Sequence, residues 1–247
     1  MSKKIALFIP CFIDTIYPKV GLATLKILQD LGFEVEYPKA QTCCGQPFFN
    51  SGFRDEAKNL AYKFYSIFKD FDYIVAPSAS CIAMVRVNYK ELLEPKEYEE
   101  MASKSYEICE FLYDVVKLDA LDVSFAHSVA LHKSCHGLRE LELGVSSELA
   151  LPYNNKVEKL LSLVDGLTLL PMLNADECCG FGGTFSVNEN ELSVKMGQDK
   201  LQHFRDSGAE YLVGYDNSCM MHLASIDKSV KMLHVVEILA GVADETI

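Results

Sequence analysis

The chain has 247 residues, of which 49% are hydrophobic and 23% are charged, and its formal net charge at pH 7 is -12. A chain of this length and composition buries enough apolar surface for one or two folded domains. The acidic balance argues against a nucleic-acid-binding protein, because such proteins need a basic face to neutralise phosphates. No apolar run reaches the roughly 18 residues that span a bilayer. We therefore predict a cytoplasmic protein without a transmembrane segment.

Hydrophobic spacing in the first half predicts alternating strands and helices. Apolar residues recur at helical spacing over residues 22–31, where Gly32 ends the pattern, and again over residues 54–68. Short apolar runs around these helices have the composition and length of strands. The predicted strands are residues 4–10, 33–37 and 73–76, and a further helix is predicted over residues 106–115.

The second half repeats this plan. Its predicted strands are residues 128–132, 167–170 and 211–215, and its predicted helices are residues 157–164, 191–205 and 233–240. Strands that alternate with helices of this length form parallel sheets covered on both faces. We therefore predict an α/β protein of two pseudo-symmetric Rossmann-like halves. The first cysteine-rich repeat is predicted at residues 1–118 and the second at residues 119–247.

The cysteines follow the same repeat. The tripeptide Cys-Cys-Gly occurs in each half, preceded by a lone cysteine and followed by another. The repeated cysteines are Cys11, Cys43, Cys44 and Cys81 in the first half, and Cys135, Cys178, Cys179 and Cys219 in the second. The ninth cysteine, Cys109, lies in a predicted apolar helix, has no counterpart in the other half, and is predicted to be a core residue.

The position of these cysteines predicts that the four thiols of each half converge. Each cysteine site follows a predicted strand, and parallel strands end at the same edge of a sheet, where α/β folds bind ligands. Adjacent cysteines on a regular strand would point to opposite faces, so each vicinal pair needs a bent loop to serve one site. Gly45 and Gly180 are predicted to supply that bend.

Four converging thiolates in a chain without a secretion signal indicate a metal or redox site rather than structural disulfides. Structural zinc sites usually carry two short C-x2-C pairs, whereas these ligands lie on three loops and include a vicinal pair. That arrangement favours an iron-sulfur cluster, and a four-cysteine zinc module without a redox role is the alternative. A third hypothesis is thiol chemistry, in which a vicinal pair forms a strained disulfide.

The motifs also resemble a known family. The tandem pattern resembles the cysteine-rich domains found in heterodisulfide reductase and in the iron-sulfur subunit of glycolate oxidase, and nearly the whole chain looks closer still to the lactate utilization protein A (LutA/YkgE) family. The segments that carry the resemblance are IALFIPCFIDTIYPKVG, QTCCGQPFFNSG, APSASCIAMV, KSCHGLRE, ECCGFGGTFS and YDNSCMMH.

The resemblance implies an iron-sulfur electron-transfer subunit of a system that oxidises L-lactate to pyruvate. It also implies partner subunits, one of them a ferredoxin-like iron-sulfur protein, so that the chain is an oxidoreductase subunit that requires partners for activity. The eight repeated cysteines would then bind the cofactor, with one or two clusters in each chain.

This sequence departs from the broader cysteine-rich pattern after the last cysteine of each half. Where related domains continue as C-x2-C, this chain has Met84 and His222. Each half therefore offers four thiols, which is the number that an ordinary 4Fe-4S cluster requires. We predict Met84 to be a packing residue and His222 to be a possible further ligand. His132 and His136 are predicted to be structural histidines, with a hydrogen-bonding or proton-transfer role at the site as the alternative.

Overall fold

The computed structural model describes residues 3–244, and that range contains two four-stranded sheets in which every neighbouring pair of strands is parallel. The strands are β1 (Lys4–Leu7), β2 (Glu34–Glu36), β3 (Tyr73–Ala76), β4 (Ser105–Glu107), β5 (Ser128–His132), β6 (Thr168–Leu169), β7 (Tyr211–Gly214) and β8 (Met232–His234). Their order is β2-β1-β3-β4 in one sheet and β6-β5-β7-β8 in the other. The identical topology confirms the predicted α/β fold of two Rossmann-like halves.

The helices cover the sheets and connect the parallel strands. The α-helices are α1 (Cys11–Ile16), α2 (Pro18–Asp30), α3 (Gln46–Asn50), α4 (Arg54–Phe68), α5 (Ala79–Ala83), α6 (Pro95–Lys104), α7 (Ile108–Glu110), α8 (Lys156–Leu161), α9 (Phe185–Asn188), α10 (Asn190–Ser207), α11 (Asn217–Ile226) and α12 (Val235–Leu239). Shorter π-helical turns span Met84–Asn88, Phe111–Val116 and His136–Glu140, and 3-10 turns span Tyr89–Glu91 and Ser147–Leu149. The bounds of α4 and β3 agree with the prediction.

The predicted helices over residues 106–115 and 233–240 are wrong at their first residues. Strands β4 and β8 occupy these positions and add a fourth strand beside β3 and β7. A helix then begins after Glu107 in one half and after His234 in the other, and the side chain of each accepts backbone N–H groups of the following turn. Apolar spacing cannot separate a short buried strand from the start of a buried helix, which is why the strands were missed.

The core of the first half is built on aromatic contacts between β1 and α4. The Phe8 ring follows β1 and meets the rings of Phe64 and Phe68 with centroids 5.1 and 5.6 Å away. All three side chains are buried. This packing fixes α4 over the sheet and thereby fixes the Cys-Cys-Gly loop that precedes it.

The two halves pack against each other as well. The Lys156 ammonium in α8 donates to the Asp114 carboxylate at 2.6 Å, and Lys19 in α2 lies 3.5 Å from Glu237 in α12.

No helix within residues 3–244 has both the length and the apolar character needed to cross a bilayer.

Candidate metal centre

The cysteine positions all lie beyond the carboxyl ends of strands, as predicted. Cys11 opens α1 directly after β1, and Cys81 lies in α5 after β3. In the second half Cys135 follows β5, and Cys219 lies in α11 after β7. The sequence pattern predicted loops for these segments, whereas all four of these cysteines lie in helical segments.

The structure gathers the cysteines of each half at one cavity. In the first half, hydrogen bonding with Cys11 and Cys44 lowers the pKa of Cys43, and hydrogen bonding with Cys43 and Cys81 raises the pKa of Cys44. The second half repeats this pattern among Cys135, Cys178, Cys179 and Cys219, and the sulfurs of Cys179 and Cys219 lie within 4.8 Å of each other. We refer to these groups as the first and second quartets. The convergence that topology predicted is therefore present in both halves.

One thiol in each quartet ionises readily because its neighbours donate to it. The Cys11 and Cys44 thiols and the Gly45 N–H all donate to the Cys43 sulfur and lower the pKa of Cys43 to about 3. In the same way Cys135, Cys179 and the Gly180 N–H lower the pKa of Cys178 to about 2. The pKa values of the donating thiols are raised because ionisation would remove these hydrogen bonds. Cys43 therefore ionises before Cys11 and Cys44, and Cys178 ionises before Cys135 and Cys179.

Glycine makes the bend that each vicinal pair requires. Gly45 and Gly180 have φ angles of 87° and 91°, in the left-handed region that favours glycine. Their N–H groups lie 3.4 and 3.3 Å from the sulfurs of Cys43 and Cys178. A Cβ at Gly180 would lie 2.5 Å from the Ser193 carbonyl oxygen of α10, so that loop has no room for a side chain.

Both quartets line one cavity of about 390 Å³ between the two halves. Its other walls include Pro10, Phe12, Gln46, His136, Phe181 and Asn217. The Phe12 and Phe181 rings, one from each half, meet edge to face with centroids 5.9 Å apart. The carboxyl edges of the two sheets therefore face each other, an arrangement that the sequence pattern did not predict.

Asp216 joins the two halves at the cavity, and the sequence pattern did not predict this role. This buried carboxylate accepts the Ser80 N–H of the first half at 2.7 Å. Its other oxygen accepts the Ser218 N–H at 3.1 Å and the Ser218 hydroxyl at 2.6 Å, which caps α11 just before Cys219. Aspartate is a favoured N-cap residue, so the capping of α11 could be recognised from the sequence. Nothing in the sequence indicates the contact across the halves.

His132 is a buried histidine beside the second quartet. One of its nitrogens lies within 4.8 Å of the sulfurs of both Cys179 and Cys219. Neither ring nitrogen has a hydrogen-bond partner among residues 3–244. Burial and the nearby Lys200 ammonium lower the pKa of His132 to about 3, so the ring is neutral at physiological pH.

The remaining candidates have other contacts. The Nε2 atom of His222 lies 3.3 Å from both the hydroxyl and the carbonyl oxygen of Ser193. His136 lies between the halves, with its Nε2 3.2 Å from the Gln46 side-chain nitrogen and its Nδ1 3.7 Å from the Cys135 sulfur. Met84 is fully buried in the core. Cys109 is buried as well, and its backbone N–H donates to the Glu107 carboxyl.

Comparison with known proteins places the cysteine pattern in a family. The family described as Cysteine-rich domain (CCG) matches residues 5–86 and 129–224. The lactate utilization protein A of Geobacillus thermodenitrificans is 38% identical over 244 residues, covering 96% of this chain and 98% of that protein. The protein of the same name from Oceanobacillus iheyensis is 40% identical over 245 residues, covering 96% of each chain.

The fold is also found in a solved structure. A hypothetical protein from Helicobacter pylori superposes with a TM-score of 0.65 at 12% identity, covering 99% of this chain. The chain spans 50% of the length of that protein. At this identity the likeness concerns the fold alone.

The glycine bend yields a testable stability difference. We expect Gly180→Ala to unfold at lower urea concentration than Gly208→Ala, because both positions have positive φ but only Gly180 has a backbone atom in the way. The left-handed conformation costs roughly 1–2 kcal/mol in either variant, and overpacking adds about 1–3 kcal/mol at Gly180. Equal losses of unfolding free energy in the two variants would show that the α10 contact does not constrain the loop.

The shared proton network predicts an unusual pH profile for Cys43. Because its pKa is lowered to about 3, the thiolate form persists at pH 5, where an ordinary thiol is almost fully protonated. In reduced, metal-free protein, the alkylation rate of Cys43, followed by peptide mass spectrometry, should change little between pH 7 and pH 5. In Cys11→Ala, which lacks the main donor, the rate should fall with pH. A steep fall in the unaltered protein would contradict the hydrogen-bonded thiolate.

Proposed function

The chain belongs to the lactate utilization protein A family of cysteine-rich domain proteins, and from this premise we propose that it is an iron-sulfur electron-transfer subunit of a system that oxidises L-lactate to pyruvate. The observation that carries the proposal is the pair of cysteine quartets, one from each half, that line one cavity. Under this proposal the eight cysteines of the quartets bind the cofactor.

The donor set fits an iron-sulfur group. Four thiolates are the complete ligand set of a 4Fe-4S cluster, and each half supplies that number. The raised pKa values of Cys11 and Cys44 show that these two thiols keep their protons when no metal is bound. A bound cation changes this because it stabilises the thiolate form of every ligand.

Zinc would satisfy the same four thiols, so the shared cavity is what favours the redox role. A structural zinc site is closed and has no need to face a second site. Here all eight cysteines line one cavity, and the bond between Asp216 and Ser80 joins the two halves beside it. An iron-sulfur cluster, when bound, accepts and returns single electrons, and two such sites across one cavity suit electron transfer between them.

The residues around the quartets adjust the environment of the cofactor. The N–H groups of Gly45 and Gly180 donate to ligand sulfurs and stabilise negative charge on them, which favours the reduced state of a cluster. Phe12 and Phe181 meet over the cavity and limit access of water. The protein thus supplies position, hydrogen bonds and exclusion of water, while partner subunits, including a ferredoxin-like iron-sulfur protein, exchange electrons with it.

Metal analysis of anaerobically purified protein tests the cofactor. We expect about four iron and four acid-labile sulfide for each occupied quartet, because a cubane cluster contains that number. Cys44→Ser should remove the iron of the first quartet and Cys179→Ser that of the second, whereas Cys109→Ser, which alters a core cysteine outside both quartets, should retain all of it. Colourless protein with stoichiometric zinc would support the alternative of a zinc module.

The link to lactate has its own test. Purified protein with its bound cluster should bleach at visible wavelengths when L-lactate is added together with the partner subunits, and pyruvate should form in proportion. Neither the protein alone nor the partners with Cys179→Ser should support the full reaction. Undiminished pyruvate formation by the partners without this chain would refute the proposed role.

A further inference from the structure

The surroundings of the two quartets differ at one position, at the carboxyl ends of the central strands β1 and β5. Ile5 pairs with Tyr73 in the first sheet, and Val129 pairs with Tyr211 in the second. The same register continues along both strands, so the residue that comes three positions later is Phe8 in one half and His132 in the other. A fully apolar ring has thus been replaced by an imidazole at equivalent points of the fold.

The helix over each sheet changes in the same way. A Cβ at Gly45 would approach the Ala57 carbonyl of α4, and a Cβ at Gly180 would approach the Ser193 carbonyl of α10, so these helices are equivalently placed. The position of Phe64 in α4 therefore corresponds to Lys200 in α10. Where the first half packs Phe8 on Phe64, the second half buries two nitrogen-bearing side chains.

Of these two buried side chains, Lys200 already has a hydrogen-bond partner. Lys200 is 1% exposed, and its ammonium donates to the Asn174 carbonyl oxygen at 2.6 Å. His132 is equally buried, yet neither of its nitrogens has a partner among residues 3–244. A buried polar group without a partner destabilises a fold, and such groups in native proteins generally bond to water, an ion or a ligand.

The free imidazole lies beside the second quartet. One of its nitrogens is within 4.8 Å of the Cys179 and Cys219 sulfurs, which is close enough for the three side chains to hold one metal group. We propose that His132 contacts the metal group of the second quartet directly through an imidazole nitrogen. The second site then has four thiolates and one imidazole, whereas the first has four thiolates alone. The proposal rests on the proposed function only in requiring a metal group at the second quartet.

No other histidine near the quartets within residues 3–244 has both ring nitrogens buried and without a partner. The Nε2 of His222 is held against Ser193. His136 has the Gln46 side chain 3.2 Å from its Nε2 and the Cys135 sulfur 3.7 Å from its Nδ1. His222 stands three residues after Cys219 and is the histidine that the sequence pattern favours as a ligand. It is therefore the matched control for an experiment on His132.

Histidine-specific labelling with ¹⁵N tests the contact. In reduced holoprotein, pulsed electron-nuclear double resonance should detect a coupled histidine ¹⁵N, which distinguishes it from unlabelled backbone nitrogens that donate to sulfur. His132→Phe, which restores the residue of the first half, should lose this coupling, and His222→Gln should keep it. His132→Gln should lose it as well and guards against misfolding of the phenylalanine variant. Absence of any histidine coupling in the unaltered protein, or its persistence in His132→Gln, would overturn the proposal.

The same experiment separates failure of this proposal from failure of the proposed function. Iron and sulfide are measured in the identical samples before spectroscopy. If zinc is found in place of iron, the electron-transfer role fails, and cobalt(II) is exchanged into the second quartet as the paramagnetic probe. A histidine coupling to cobalt that disappears in His132→Gln would then still support the contact, and its absence would refute it.

Discussion

The crowding of four thiols at the end of a parallel sheet is the constraint on which the rest of the structure depends. Neighbouring thiols do not ionise independently, since the pKa values of Cys43 and Cys178 are lowered while those of the thiols that donate to them are raised. The loops that hold this arrangement need glycine, with Gly45 and Gly180 in the left-handed region. A fold that maintains such crowding twice gains most from a bound cation, because the cation stabilises all four thiolates together.

The two halves share one architecture but differ in the residues around their quartets. The two sheets share strand order and register, so each quartet forms by the same route. The surroundings of the quartets nevertheless differ. Phe8 is replaced by His132, and the position of Phe64 is taken by Lys200, which brings a buried imidazole and a buried ammonium close to the second quartet only. Under the proposed function, clusters in such unequal surroundings would differ in reduction potential, and that difference would set the direction of electron transfer.

The sequence was sufficient for the parts of the site that depend on local pattern and topology. The repeated cysteines, the alternation of strands and helices and the glycine after each vicinal pair together predicted both quartets. The shared cavity and the Asp216 to Ser80 bond were not predicted, because they depend on how the two halves dock, and no pairwise spacing along the chain encodes that. The sequence likewise could not predict that His132 lacks a hydrogen-bond partner among residues 3–244, since this depends on how the folded chain packs around both ring nitrogens.

X-ray absorption at the iron edge of anaerobically purified protein tests most directly which metal the quartets hold, because it measures the atoms around each iron. We predict iron surrounded by sulfur, with a second iron as the next neighbour, as in a cluster held by thiolates. Protein without stoichiometric iron, or with isolated iron bound only by nitrogen and oxygen, would contradict cluster binding by the two quartets.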